Sequence, residues 1–204
     1  MLRITKLQLL SFGSSYVLMG SGINSIVYAQ SQNHQSSDSL KSKQVYTCMK
    51  IDRATNKLTP DLLYIFMDSC IKESKYVDAV HFFALAGTYS FYDTQRVADT
   101  TSHQIHSLLL QQFLPGLDKK QSDRLFKELN KTLGNKNKLS SVCTKLKSIG
   151  APDYYPEYMI NHGLGAVTGK NEADSVPAVN GLIADFNPKN AWEKSLDGYL
   201  HCPK

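Results

Sequence analysis

The stretch Leu58–Tyr92, LTPDLLYIFMDSCIKESKYVDAVHFFALAGTYSFY, decides the fold. It is the densest run of large apolar and aromatic side chains in the chain, and Glu73-Ser74-Lys75 divides it into two helix-sized halves. Thr59, Pro60 and Asp61 make a start signal: a hydroxyl able to cap free amides, a ring suited to the first turn, and a negative charge against the positive helix end. Leu62, Leu63, Phe66, Met67, Cys70 and Ile71 then recur at helical spacing, giving one broad apolar face. The second half, Tyr76–Tyr92, is apolar nearly all round through Val77, Ala79, Val80, Phe82, Phe83, Leu85, Ala86 and Tyr89. A helix of that kind is expected to be central and contacted on several sides. The whole stretch reads as a helical hairpin that forms the core.

Outward from it, the flanking signals predict further helices. Val45–Ala54 is expected to form a short helix carrying Cys48. Asp93–Ser102 is polar and bends; a helix resumes near Ser102 and stops at Pro115-Gly116. Asp118 caps the next, with a Leu125, Leu129, Leu133 stripe. Asn137 is expected to cap another, in which Leu139, Val142, Cys143, Leu146 and Ile149 follow helical spacing before Gly150. A short helix is expected from Tyr155 to His162, with Pro156 in its first turn, and a surface loop from Thr168 to Asn180. Asn187-Pro188 opens a last helix with Ala191, Trp192, Leu196 and Leu200. The expected fold is therefore all-α, a compact single-domain bundle of about seven helices over 45–204.

Within the hairpin, Tyr76, Ala79, Phe83 and Ala86 match Y-x-x-A-x-x-x-F-x-x-A. This resembles the second helix of tetratricopeptide repeats, and Ala79-Val80 with Phe82-Phe83 and Ala86 is similar to Sel1-type repeats. The match spans one repeat, Leu62 to Tyr92; Leu63 and Met67 stand where the family carries Trp and Gly. What the resemblance implies is a helical hairpin of the sort that presents binding surfaces.

The N-terminus points to export. Arg3 and Lys6 precede an apolar stretch ending in Val27-Tyr28-Ala29, the make-up of a cleaved secretory signal over 1–29 that leaves Gln30 first. Its polar interruptions, Gln8 and Asn24 among them, disfavour a membrane anchor, which needs about 20 consistently apolar residues. Residues 30–44 are polar and low in complexity and read as a flexible leader. Cys48, Cys70, Cys143 and Cys202 all follow the cleavage point, and an even number in an oxidising compartment suggests two disulfides. Cys48–Cys70 with Cys143–Cys202 is the expected pairing, because it ties the N-terminal segment to the hairpin and the tail to a later helix. Zinc is disfavoured, since the four cysteines lack paired spacing.

The formal charge of +5 falls to +3 without Arg3 and Lys6. Lysines alternate with acids, as in Asp118-Lys119-Lys120, so no stripe tracks a phosphate backbone and nucleic acid is not an expected partner. No Gly-rich phosphate loop, G-x-S-x-G elbow or H-E-x-x-H motif occurs, and no cofactor is expected. Two places could carry chemistry. The span Tyr154, Tyr155, Glu157, Tyr158, Asn161 and His162, with Asp153 beside it, gathers acid, base and hydrogen-bonding groups. Glu157 and His162 are its catalytic candidates, although proline with tyrosine more often makes a packed corner. His103 and His106, three apart, could share a metal, with Asp99 or His162 as further ligands. His81 reads as a satisfied core histidine. The function expected from these observations is a periplasmic or secreted, non-enzymatic module that binds another protein, of the inhibitor or immunity type. The alternative is a small hydrolase or metal-binding protein using His162 with Glu157 or Asp153, or His103 with His106.

Overall fold

The computed structural model describes residues 46–168 and 177–203. The proposed signal over 1–29, the leader over 30–44 and most of the Thr168–Asn180 loop lie outside the described residues. Those described are mostly helical, with one two-stranded sheet. Two helices dominate: α1, Pro60–Lys72, and α2, Tyr76–Thr94. They form the expected hairpin. Pro60 opens α1, with no side-chain cap from Thr59. The turn at Glu73–Lys75 closes α1 by two nested bonds, Ser74 N–H to Ile71 O at 2.9 Å and Lys75 N–H to Cys70 O at 2.8 Å. Ser74 takes the left-handed conformation there, φ 59°, where helices normally use glycine.

Helix α2 is the axis of the domain. From Asp78 to Ser90 every residue except the half-buried His81 is buried. It packs on α1, on α3 (Ile105–Phe113), α4 (Lys119–Leu133), α5 (Lys136–Ile149) and α8 (Pro188–Lys194), and on a π-helical turn at Ser195–Tyr199. The lack of a side chain at Gly87 makes room for the last of these. A Cβ at this position would collide with the ring and hydroxyl of Tyr199. A side chain at residue 87 would force the Tyr199 ring out of its place against the helix.

The surrounding helices follow their caps. Asp118 opens α4 through a reciprocal box with Gln121. The next cap is Asn135, accepting from Lys138 N, and not Asn137. Gly134 ends α4, so α5 begins almost at once and Asn137 already lies inside it. Asn187 accepts from Asn190 N ahead of Pro188 and starts α8. Other boundaries also differ from expectation. Over 46–54 only the 3-10 turn Ile51–Arg53 is helical, and Cys48 lies in irregular chain before it. A 3-10 segment, Thr100–Gln104, precedes α3, because Asp99 caps it by accepting from Thr101 N. The tyrosine-rich helix shrinks to α6, Glu157–Ile160, with Pro156 at its cap, and α7, Leu164–Thr168, follows.

Beyond residue 176 the chain forms an unexpected hairpin. Strands β1, Ala178–Val179, and β2, Leu182–Ile183, pair antiparallel, and Val97 bridges Leu182 on the other side. Asn180 and Gly181, φ 51° and 77°, make the left-handed two-residue turn that Asn-Gly favours. Gly181 also lets Ile160 approach, at 3.2 Å from where its Cβ would be.

Both disulfides join the expected partners: Cys48–Cys70, 22 residues apart, and Cys143–Cys202, 59 apart. Such bridges are at home in an oxidising compartment. Among the described residues no helix is long and apolar enough to cross a membrane.

Candidate functional site

The tyrosine-rich span and the end of α2 meet at Asp93. This carboxylate is fully buried. Its Oδ2 accepts from Tyr154 Oη and Tyr158 Oη, both at 2.8 Å, and its Oδ1 accepts from Arg96 Nε at 2.7 Å. Arg96, one turn on, also brings Nη2 within 2.7 Å of Oδ1. Its guanidinium lies 5.1 Å from the centroids of both Tyr92 and Tyr154, so two ring faces flank the cation. Tyr92 in turn meets Phe186 and Trp192 edge-on, and Tyr89 meets Tyr154 and Trp192.

The electrostatics follow from burial. Desolvation raises the Asp93 carboxyl, while Arg96 and the two phenols oppose the rise. Burial, then the neighbouring Asp93 charge, drives the Tyr154 and Tyr158 phenols well above their ordinary value. The phenols therefore stay protonated and donate. The geometry is that of a buried network in which Arg96 Nε and the two phenols, the latter 61 and 65 residues away in sequence, all donate to one carboxylate, while Arg96 Nη2 lies near Oδ1 without making a hydrogen bond of its own.

This arrangement divides the predicted binding surface in two. Tyr154 and Tyr158 turn their hydroxyls inward. Tyr155, Glu157, Asn161 and His162 remain exposed. Tyr155 is 50% exposed, yet its phenol is anchored by donation to Asn180 O at 2.7 Å. Asn161 Nδ2 reaches Glu157 Oε1 at 3.4 Å, and His162 Nδ1 lies 2.7 Å from Tyr158 O. Glu157 and His162 thus sit on one short exposed helix and the turn after it.

The two histidines on the other candidate site have separate surroundings. His103 Nε2 lies 3.0 Å from Val97 O. His106 packs edge-on to Tyr199, ring centroids 5.7 Å apart, and burial lowers its pKa from 6.5 to about 4. Its Nδ1 is buried and has no partner among the described residues. Asp99 serves the backbone instead: its carboxylate accepts from Thr101 N at 2.9 Å and Gly165 N at 3.0 Å. Burial acts to raise that carboxyl, but these bonds and the Thr101 hydroxyl hold it below its usual range. Among the described residues no group of three or more His, Cys, Asp or Glu side chains is placed to hold a metal ion. His81, expected to be satisfied, has a buried Nδ1 with no partner among the described residues. Burial lowers its pKa.

Two features of this region escape a reading by spacing. Asp93 and Arg96 look like ordinary polar residues after a helix, and nothing local reveals that their partners are Tyr154 and Tyr158. The Asn180-Gly181 turn did carry a signal, an Asn-Gly pair between Ala178-Val179 and Leu182-Ile183. Compared with protein-family profiles, with curated proteins and with solved structures, the chain matches none.

Proposed function

We propose that the protein is an exported, non-enzymatic module that binds another protein, of the inhibitor or immunity type. The contact face is Tyr155, Glu157, Asn161 and His162 together with the hairpin tip at Val179. The observation that carries this reading is the state of Tyr155: half exposed, but fixed by its phenol to Asn180, beside Val179, which is 63% exposed. A rigid aromatic side chain next to an apolar tip, rimmed by polar groups, loses little freedom on binding. The tetratricopeptide-like hairpin beneath would act as scaffold. A single exported compartment accounts for both the N-terminal signal and the disulfides.

The test is affinity capture with the mature protein, compared with Tyr155→Ala and Val179→Asp variants whose thermal unfolding matches the wild type. A partner retained by the wild type and lost by both variants supports this face. A partner held equally by all three proteins removes it, and mass spectrometry showing no N-terminus at Gln30 removes the export reading.

A further inference from the structure

Helices α4 and α5 gather charge that the linear sequence disperses. Residues 119–149 hold nine Lys or Arg and two acids, a net of +7, so the rest of 30–204, where the formal total is +3, nets −4. On α4 the cations fall into register. Lys120, Arg124, Lys127 and Lys131 follow one another at intervals of four, three and four residues, the spacing of a single helix face about 16 Å long. All four are exposed, and the buried Leu125, Leu129 and Thr132 take another face. The acids that alternate with them in the chain, Asp123 and Glu128, fall to either side of the stripe. Glu128 meets Lys131 at 3.1 Å and Asp123 meets Lys119, while Lys120 and Lys127 have no ion pair among the described residues.

Helix stability does not account for this charge. Beyond the Asp118 cap, the first turns of α4 and α5 carry Lys119, Lys120, Lys136 and Lys138 and no acid, although cations at a helix N-terminus oppose its dipole. What the stripe faces follows from what stands beside it. Among the described residues, the large apolar side chains that stay exposed, Val77, Phe91, Leu108, Tyr155, Leu164 and Val179, lie on other elements. A protein interface uses aromatic or apolar anchors and is poor in Lys at its centre, and a single nucleic-acid strand is held by stacking on aromatic rings. An anionic lipid surface needs neither. It attracts Lys and Arg as charges, without a pocket, and a straight row of cations meets a plane along its whole length.

We propose that the α4 stripe docks the folded protein reversibly on an anionic membrane surface, its cations against the lipid phosphates. The contact is with headgroups, and no helix enters the bilayer. The choice of lipid over a nucleic-acid duplex rests on the export reading, since a secreted chain is released at a membrane.

The test is sedimentation of the mature protein with vesicles of phosphatidylglycerol and phosphatidylcholine at physiological ionic strength. The expected result is binding that disappears on vesicles of phosphatidylcholine alone and at high salt. Lys120→Gln with Lys127→Gln should weaken it roughly tenfold. Lys189→Gln with Lys194→Gln, the same loss of charge on the exposed α8, should leave it nearly unchanged. Equal binding to neutral vesicles, no binding to anionic ones, or equal weakening by the two lysine pairs would overturn the proposal. So would a duplex oligonucleotide that binds more tightly than the vesicles and loses as much with Lys120→Gln and Lys127→Gln. These outcomes are read on purified protein, so they stand apart from the N-terminus at Gln30, whose absence removes the export reading alone.

Discussion

Gly87 on α2 and Tyr199 in the C-terminal turn fill a single space: the phenol ring lies where any side chain on residue 87 would have to go. Burial of that phenol pushes its ionisation up to about 12. Gly87→Ala should therefore destabilise the fold although alanine is the better helix former, by about 1–3 kcal/mol or more of overpacking. Urea denaturation of Gly87→Ala, Tyr199→Ala and the double variant checks this. The two losses should be strongly non-additive, the double variant recovering part of the cost; additive losses would mean that the two residues do not share the space.

Asp93→Asn should be among the most damaging single changes. It leaves the Arg96 cation buried without its counter-charge, and removing one partner of a buried pair costs about 3–5 kcal/mol. Tyr154→Phe and Tyr158→Phe each delete one bond to the same charged oxygen and should cost about 1.5–3 kcal/mol. Equilibrium unfolding near neutral pH orders the three variants. A loss for Asp93→Asn no larger than a surface substitution would show that the Asp93 charge does not hold this buried network together.

Stability should fall on mild acidification. His106 titrates at about 4 when folded, against 6.5 for the free side chain, because burial disfavours its charged form. The unfolded chain therefore binds the extra proton first as the pH drops through 6.5, and the penalty grows until about pH 4, reaching at most about 3 kcal/mol. His81, also lowered, acts in the same direction. The measurement is the urea midpoint from pH 7 to pH 4, for the wild type and His106→Gln. The variant should lose much of the slope in that window.

Ser74 holds a left-handed conformation that a side chain disfavours. Ser74→Gly should raise stability by about 0.5–1 kcal/mol, an increase of a few degrees in thermal midpoint. An unchanged or lower midpoint would show that the serine makes a compensating contact.

How much of this was legible depends on the range of each interaction. The α1–α2 hairpin could be read because apolar spacing and the break at Glu73–Lys75 are local signals, and burial of α2 follows from apolar residues all round. The disulfide pairing followed from the same elements. The Asn137 cap was misplaced by two residues because Asn135 and Asn137 are both competent and only the position of Gly134 decides between them. Tyr154 and Tyr158 were visible as a cluster, but a tyrosine on a binding face and one bonded to a buried acid look alike in sequence. The deciding partner, Asp93, is 61 and 65 residues away.

The order of the bridges along the chain has one more consequence. Cys48 pairs with Cys70, and Cys143 with Cys202, so the two loops follow one another and neither encloses nor crosses the other. For a polypeptide that emerges N-terminus first into an oxidising space, each cysteine's correct mate is the next to arrive. Oxidation in order of emergence then yields the native pattern directly, with no shuffling step and no need for an isomerase.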